Sequence, residues 1–237
     1  MTIRAVFFDA GDTLIHRWTL KAERFAWLCR NGGIRLPDDP ARVMAGARAH
    51  ELFYQDRRKH ADAFSIPWYI RLNRTGLAAM GAEGDLDAMA AATIRAAQGI
   101  PKEEVADPEA IPLLDSLREK GYRLAIVSNW DGTLIDYLRR TGLGGYFDAV
   151  LDSDVVGSRK PDTRIFEVAC AATGVRPGEA VHIGDSPCAD VAGALAAGVT
   201  PLLLDALDLF GDGYDNLPPF ERIGRLSELP AWLGSRA

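Results

Sequence analysis

The sequence is poor in cysteine and contains no long apolar segment. Three cysteines occur among 237 residues, Cys29, Cys170 and Cys188, and their number and wide spacing provide neither a disulfide framework nor a zinc motif. No apolar run is long enough to span a bilayer, and the N-terminal MTIRAVFF lacks the longer apolar stretch of a signal peptide. We therefore expect a cytoplasmic protein with reduced thiols and no membrane partner.

An excess of positive charge is also missing. With 27 Lys and Arg against 33 Asp and Glu, the formal net charge is −6, which argues against nucleic acid as a partner. Low-complexity segments and internal repeats are absent from the sequence as well. The remaining composition, 48% hydrophobic and 25% charged residues, indicates a globular chain long enough to bury a sizeable core.

Short apolar runs alternate with helical patterns in the second half of the chain. The runs are RLAIV (123–127), AVL (149–151), AVHI (180–183) and TPLLL (200–204), and the helical stretches between them end at Gly142, Gly174 and Gly198. Glycine just past a helix is a common stop signal. Near-continuous apolar strands separated by helices are typical of parallel strands covered on both faces. The sequence therefore predicts an α/β fold, a doubly wound, Rossmann-like parallel sheet that begins with AVFF (5–8).

The segment 17–105 follows a different pattern. Apolar residues from Trp18 to Cys29 recur at the spacing of one helix face, and Asp39 followed by Pro40 is a typical helix start. No strand pattern is found in this segment. We predict an all-helical cap domain, residues 17–105, inserted into an α/β core made of residues 1–16 and 106–237.

Polar residues follow several of the predicted strands. They are Asp9 after the first strand, Ser128 and Asn129 after RLAIV, Lys160 in the loop after AVL, and Asp185 and Asp190 after AVHI. In an open parallel sheet, ligands bind beyond the carboxyl ends of the strands. Each residue alone is explained as a cap, a turn residue or a solvated side chain. Chance does not place all of them on one rim, so we predict a functional site there.

Phosphoryl transfer is the chemistry that these groups share. A carboxylate such as Asp9 can attack phosphorus and form an aspartyl phosphate. Attack on an anionic group needs neutralising charge, which Mg²⁺ held by oxygen ligands and a lysine such as Lys160 would supply. Asp9 and Asp185 would hold the ion together with a backbone carbonyl, while Ser128 would donate a hydrogen bond to a phosphoryl oxygen. The expected substrate is a small phosphorylated metabolite.

Four segments resemble the motifs of the haloacid dehalogenase-like (HAD) hydrolase superfamily, in the order expected for that family. They are VFFDAGDTL, IVSNWD, GSRKPD and HIGDSPCAD. The helical insert is similar, in position and helicity, to the type-1 cap of the dehalogenase and phosphoglycolate phosphatase-like branch. The resemblance covers the core, from Thr2 to Ile15 and from about Pro108 to Asp205.

The resemblance also implies a role for each polar residue at the rim. The implied catalytic residues are Asp9 as nucleophile, Ser128 and Lys160. The implied Mg²⁺ ligands are Asp9, the Gly11 carbonyl and Asp185, with Asp190 behind the ion or near Lys160. The implied substrate contacts are Asn129, Gly11 and Asp12.

Position 11 departs from the family pattern. Typical phosphatases of the family carry an aspartate two residues after the nucleophile, which protonates the leaving group and later activates water, whereas this chain has Gly11. The dehalogenase and phosphonatase branches also lack that acid, but dehalogenases attack carbon and need no divalent ion. The acid pair of GDSPCAD therefore favours a metal-assisted phosphatase. A 2-haloacid dehalogenase-like carbon–halogen hydrolase and a non-catalytic binding protein on the same fold are the alternatives.

Several residues are candidates to compensate for the missing acid. Asp12 would have to be re-aimed, and His16 or His60 would donate a proton from outside the loop. A substrate with a good leaving group needs no proton, and we favour this explanation or a slow enzyme. Lys21 and Lys59, the early-cap candidates for a phosphonatase-type Schiff base, are better explained as solvated side chains. Trp130 would line the pocket or pack under the cap, and monomer and homodimer are both compatible with the sequence.

Overall fold

The computed structural model describes residues 2–16, 21–99, 104–211, 213–214 and 217–236, without the side chains of residues 21, 22 and 58. The chain divides into two compact units, Met1–Arg17 with Glu104–Ala237, and Trp18–Glu103. We call the first the core unit and the second the helical unit. None of the helices described is long and apolar enough to cross a membrane.

Six strands of the core unit form one parallel sheet. The strands in the part of the chain that the structure describes are β1 (Ala5–Phe8), β2 (Ile15–His16), β3 (Val105–Ala106), β4 (Arg123–Ser128), β5 (Ala149–Asp152), β6 (Ala180–Gly184), β7 (Thr200–Leu204) and β8 (Glu221–Ile223). The sheet order is β5-β4-β1-β6-β7-β8, and every neighbouring pair is parallel. β2 and β3 form a separate antiparallel ribbon. The chain extends outward on one side of β1 and then returns to the other side, which places the switch point of the sheet beside β1.

The apolar runs form strands because both faces of the sheet are covered. No side chain of β1 has exposed surface. Val6 and Phe8 belong to one apolar cluster, while Ala5 and Phe7 belong to another on the opposite face, which also contains Phe166. Burial on two faces explains why the run shows no alternation of polar and apolar residues. The predicted fold class, a doubly wound parallel sheet with a helical insert, is confirmed.

Ten helices lie in the described ranges of residues 2–236. They are α1 (Lys21–Asn31), α2 (Pro40–Gln55), α3 (Ile66–Ala79), α4 (Leu86–Ala97), α5 (Ala110–Glu119), α6 (Leu134–Arg140), α7 (Ser153–Val156), α8 (Thr163–Thr173), α9 (Ala192–Ala196) and α10 (Leu229–Gly234). The predicted stop signals follow their helices, and Gly174 ends α8 with a left-handed φ of 67°. Such a φ is readily adopted by glycine, which has no Cβ.

The helical unit contains α1 to α4, and no strand occurs in its described residues, 21–99. Asp39 and Asp85 accept hydrogen bonds from backbone N–H groups at the starts of α2 and α4. Gly46 and Gly76 let α2 and α3 approach closely, because a Cβ at Gly46 would lie 2.9 Å from the Gly76 carbonyl oxygen. Trp18, which the sequence places on the first helix face, lies outside the described residues.

Three strands extend one residue past their predicted apolar runs, and one of them is β6, which ends at Gly184. β4 extends to Ser128 and β5 to Asp152, each one residue past its apolar run, because these polar residues pair with each other across the two strands. These polar extensions carry side chains into the site described below.

Candidate active site

A buried lysine and two aspartates form a charge network at the carboxyl end of the sheet. Lys160 Nζ lies 2.6 Å from Asp9 Oδ1 and 2.6 Å from Asp190 Oδ1. The side chains of Lys160 and Asp190 are each 2% exposed, and that of Asp9 is 12% exposed. Asp9 follows β1 and Asp190 follows β6, which are neighbours in the sheet. Contacts this short between ionised groups are among the stronger hydrogen bonds of proteins.

Burial and charge act in opposite directions on each member of this network. Burial raises the pKa of Asp9 above its ordinary value, although Lys160 opposes the change. Burial disfavours the charged form of Lys160, but Asp190 and Asp9 outweigh it and hold the pKa of the ammonium group above its usual range. Burial also acts against ionisation of Asp190, yet Lys160 and His182 hold the pKa of that carboxyl well below its usual range. Lys160 and Asp190 therefore form a charged pair, and Asp9 contacts the lysine of this pair.

A third carboxylate joins the two aspartates. Oxygens of Asp9, Asp185 and Asp190 all lie within 4.8 Å of one another. Asp190 Oδ2 accepts a hydrogen bond from the Ser186 N–H at 2.9 Å, and its Oδ1 contacts Lys160 and His182. Both Asp190 oxygens have these partners, and Asp9 Oδ1 in turn contacts Lys160. Carboxylate oxygens are the ligands that Mg²⁺ prefers, so the residues present fit that ion.

Asp190 depends on two residues for which the sequence indicated no role. His182 reads as an interior residue of an apolar strand, but its Nε2 lies 2.8 Å from Asp190 Oδ1, with the Phe166 ring edge-on at 5.0 Å. Burial lowers the pKa of His182, so the neutral ring donates through Nε2. A Cβ on Gly184 would lie 2.2 Å from Asp190 Cγ. Glycine at this position is therefore required for the close approach of Asp190 to the end of β6.

The loop after β4 also reaches this network. Burial has the largest effect on the pKa of Asp9 and raises it. A hydrogen bond from the Ser128 hydroxyl lowers the same pKa, so this hydroxyl lies beside the nucleophile candidate. Asn129 Nδ2 donates to the Lys160 carbonyl at 3.0 Å, and Asn129 Oδ1 accepts from the Lys160 N–H at 2.8 Å. The Asn129 amide thus orients the backbone of Lys160, and the substrate contact implied by the resemblance stays a prediction.

The end of β5 holds the same loop in place. Ser153 Oγ donates to the Trp130 carbonyl at 2.9 Å and lies 3.1 Å from the Trp130 N–H. Asp152 Oδ2 accepts from the Gly132 N–H at 2.9 Å. Both polar side chains are buried, so their hydrogen bonds fix the path of the loop. A sequence signal exists, since both residues directly follow an apolar run, but the sequence does not identify their partner.

Gly11 lies in a tight turn directly after Asp9. The Asp12 N–H donates to the Ile15 carbonyl at 2.9 Å, and Asp12 itself has a left-handed φ of 56°. Gly11 is outside the left-handed region, and an added Cβ would meet Trp130 Cζ3 at 3.5 Å, an ordinary contact. The backbone therefore does not require glycine at position 11, and the missing acid is a chemical feature of the site.

The other candidate proton donors make contacts of their own. Burial disfavours the charged form of His16, but hydrogen bonds to Asp107 and Asp12 outweigh it and raise the pKa of the ring to about 9. His16 and Asp12 thus belong to an ion cluster beside the β2–β3 ribbon. In the helical unit, His60 stacks on Phe53 with ring centroids 4.8 Å apart, and Lys59 pairs with the carboxylate of Asp56. The side chain of Lys21 lies outside the described residues.

Comparison with known proteins shows which family this chain belongs to. The family model described as haloacid dehalogenase-like hydrolase matches residues 3–198. The glyceraldehyde 3-phosphate phosphatase of Methanopyrus kandleri is 30% identical over 236 residues, which cover 96% of this chain and 95% of that protein. The chain spans less than half the length, between 36% and 44%, of several other curated relatives that it matches.

Two solved structures share the fold over nearly the whole chain. A HAD phosphatase from Thermococcus onnurineus has 28% identity and a TM-score of 0.59, with 99% of this chain and 100% of that chain covered. A 2-haloacid dehalogenase from Pseudomonas syringae pv. Tomato DC3000 has 26% identity and a TM-score of 0.57, with both chains fully covered. Since the family model spans residues 3–198 and the archaeal relative aligns over almost its full length, this chain belongs to the haloacid dehalogenase-like hydrolase family.

Proposed function

We propose that this protein is a Mg²⁺-dependent phosphatase that hydrolyses a small phosphate monoester through a phosphoaspartyl intermediate on Asp9. The observation that carries the proposal is the 2.6 Å contact between Asp9 and Lys160, next to the acidic cluster of Asp9, Asp185 and Asp190. Two proteins named as phosphatases, from M. kandleri and T. onnurineus, are similar to this chain over nearly its full length. In this proposal the helical unit, Trp18–Glu103, acts as the cap predicted at residues 17–105 and selects the substrate.

The chain's own residues would perform the two chemical steps. Asp9 attacks phosphorus, an O–P bond forms to its carboxylate, and the bond to the leaving-group oxygen breaks. Water then attacks the aspartyl phosphate, so that inorganic phosphate departs and the Asp9 carboxylate is restored. Lys160 favours the ionised form of Asp9 and offsets phosphoryl charge, while Ser128 donates to a phosphoryl oxygen. When bound by Asp9, Asp185 and the Gly11 carbonyl, Mg²⁺ would neutralise charge on the transferred group.

Removal of divalent cations is expected to abolish phosphate release, and added Mg²⁺ is expected to restore it. Asp185→Asn should weaken Mg²⁺ binding by at least ~10-fold, because the substitution removes a charged oxygen ligand. Isothermal titration calorimetry of the purified protein measures this affinity independently of turnover. Asp136→Asn is the matched control, since Asp136 is exposed on α6 and pairs with Arg139 on the same helix. Equal Mg²⁺ affinity in the Asp185 and Asp136 variants would contradict the assignment.

A carbon–halogen hydrolase is the second candidate, favoured by Gly11 and by the similarity to a 2-haloacid dehalogenase. The same metal experiment separates the two chemistries. A dehalogenase attacks carbon, where no anionic group needs neutralising. Halide release from a 2-haloacid that persists in EDTA, without phosphate release from any ester, would establish the second candidate in place of the first.

Gly11→Asp is expected to raise kcat on an alkyl phosphate such as glycerol 3-phosphate by up to ~10²-fold. A positioned general acid contributes about 10²- to 10⁴-fold in rate, and the new Cβ meets only an ordinary contact with Trp130. Gly11→Asn is the control, because asparagine has the same size but carries no carboxyl proton. If both variants behave alike, the missing acid does not limit the reaction.

A further inference from the structure

Trp130 is held rigidly at the rim of the site. Its backbone N–H and carbonyl both contact the Ser153 hydroxyl, at 3.1 and 2.9 Å. Its indole Nε1 donates to Thr133 Oγ1 at 3.2 Å, and the ring meets Tyr137 edge-on with centroids 5.2 Å apart. The backbone, the indole N–H and the ring edge are thus each fixed by a different residue. An aromatic side chain fixed in this way presents a pre-formed surface to a ligand.

The indole stands where a side chain at position 11 would project. Trp130 Cζ3 is the nearest heavy atom to a Cβ built on Gly11, at 3.5 Å. Gly11 lies two residues beyond Asp9, and its carbonyl is assigned to the metal in the proposed function, so this edge of the ring lies beside the proposed site. Lys160, Asp185 and Asp190 surround the Asp9 carboxylate with charge. The loop after β4 instead offers an aromatic surface beside the proposed site.

The Trp130 side chain supplies no proton to a leaving group. The indole N–H is given to Thr133, and an indole is far too weak an acid to protonate an oxyanion. Because neither Gly11 nor Trp130 supplies a proton, the leaving group that suits them departs with its electron pair as a weakly basic oxyanion. In an in-line displacement the leaving oxygen lies opposite the attacking Asp9 oxygen.

We propose that Trp130 is a specificity-determining residue that selects phosphate monoesters with an aromatic leaving group. This inference rests on the proposed phosphatase function. The Asp9–phosphorus bond forms while the bond from phosphorus to the aryl oxygen breaks, and the aryl oxide keeps the electron pair. Hydrolysis of the aspartyl phosphate then consumes one water, whose protons go to phosphate and to the aryl oxide or solvent. The aryl ring contacts the indole before and during this step, which strengthens binding.

The inference is tested with two esters that both have weakly basic leaving groups. 4-Nitrophenyl phosphate has an aromatic leaving group, and acetyl phosphate does not. Trp130→Leu is expected to raise KM for 4-nitrophenyl phosphate by about 10-fold while kcat changes less than about 3-fold, and to leave KM for acetyl phosphate within about 3-fold. Trp130→Phe keeps an aromatic ring and should restore most of the difference. An equal change with both esters would show that Trp130 only orders its loop, and would overturn the inference.

A binding measurement separates this inference from the proposed function. Calorimetric titration with phenylphosphonate and methylphosphonate needs no turnover. The wild-type protein should prefer phenylphosphonate by about 10-fold, and Trp130→Leu should lose that preference, whereas Trp232→Leu, on α10 outside the site, should keep it. A wild-type protein without this preference, or a preference that survives in Trp130→Leu, overturns the inference. Absence of turnover in the wild-type protein contradicts only the proposed phosphatase activity.

Discussion

Asp9→Asn is expected to lower phosphate release by about 10⁴-fold or more while the protein stays folded. An amide does not attack phosphorus, and removing a covalent nucleophile costs an enzyme rates of this order. The fold should tolerate the change, because burial raises the pKa of Asp9 and a neutral side chain of the same shape avoids that cost. Phosphate release from a panel of metabolite phosphates with Mg²⁺ measures the first effect, and denaturant unfolding measures the second.

The control for Asp9→Asn is Asp136→Asn, which changes an exposed carboxylate of the same unit and should leave turnover within about 2-fold. Mass spectrometry adds a second readout, since a phosphoryl group trapped on the wild-type chain should be lost from the Asp9 variant. Phosphate release from no compound of the panel, unchanged by Asp9→Asn, would establish the third candidate, a non-catalytic binding protein that kept the fold.

Lys160→Met is expected to destabilise the protein by about 3–5 kcal/mol and to remove nearly all activity. Methionine fills a similar volume but leaves Asp9 and Asp190 as two buried carboxylates without their shared cation. Removal of one partner from a buried ion pair costs about this much, because the remaining charge loses its compensation. The free energy of unfolding, obtained from urea or guanidinium titration, measures the loss. A divalent cation added to the folded variant should recover part of it, since the cation would offset the same charge.

Arg159→Met is the matched control for the lysine variant. Arg159 precedes Lys160 in the chain and pairs with Asp154, but both side chains of that ion pair are more than half exposed. An exposed ion pair contributes only about 0–1 kcal/mol, because water and salt screen it. Equal destabilisation by the two substitutions would show that the Lys160 network does not stabilise the fold.

Local patterns in the sequence were sufficient for the fold class and for the candidate residues. The run AVFF and the stop at Gly174 depend on neighbours within a few residues, and such signals survive without tertiary context. Asp9, Ser128 and Lys160 stood out because each follows a predicted strand. Parallel strands end at one edge of a sheet, so a shared rim could be inferred from the order of motifs alone.

The pairing of those residues required the tertiary structure. Lys160 contacts Asp9 across a separation of 151 residues and Asp190 across 30, and the sheet order that brings them together is not a local property of the chain. The engagement of Asn129 with the Lys160 backbone has the same origin. A residue type and its distance from a strand end do not indicate which atoms it will meet.

The sequence by itself thus determined the sheet, the helical insert, the acids and lysine at the rim, and the absence of an acid at position 11. Only the tertiary structure decided what surrounds them. From the sequence His182 is a core residue, but its ring contacts Asp190. The sequence leaves open whether Trp130 lines the pocket or packs under the cap, and the structure shows its ring beside Gly11. Periodicity reports which side of an element is buried, whereas the partners of a buried side chain depend on how distant elements pack.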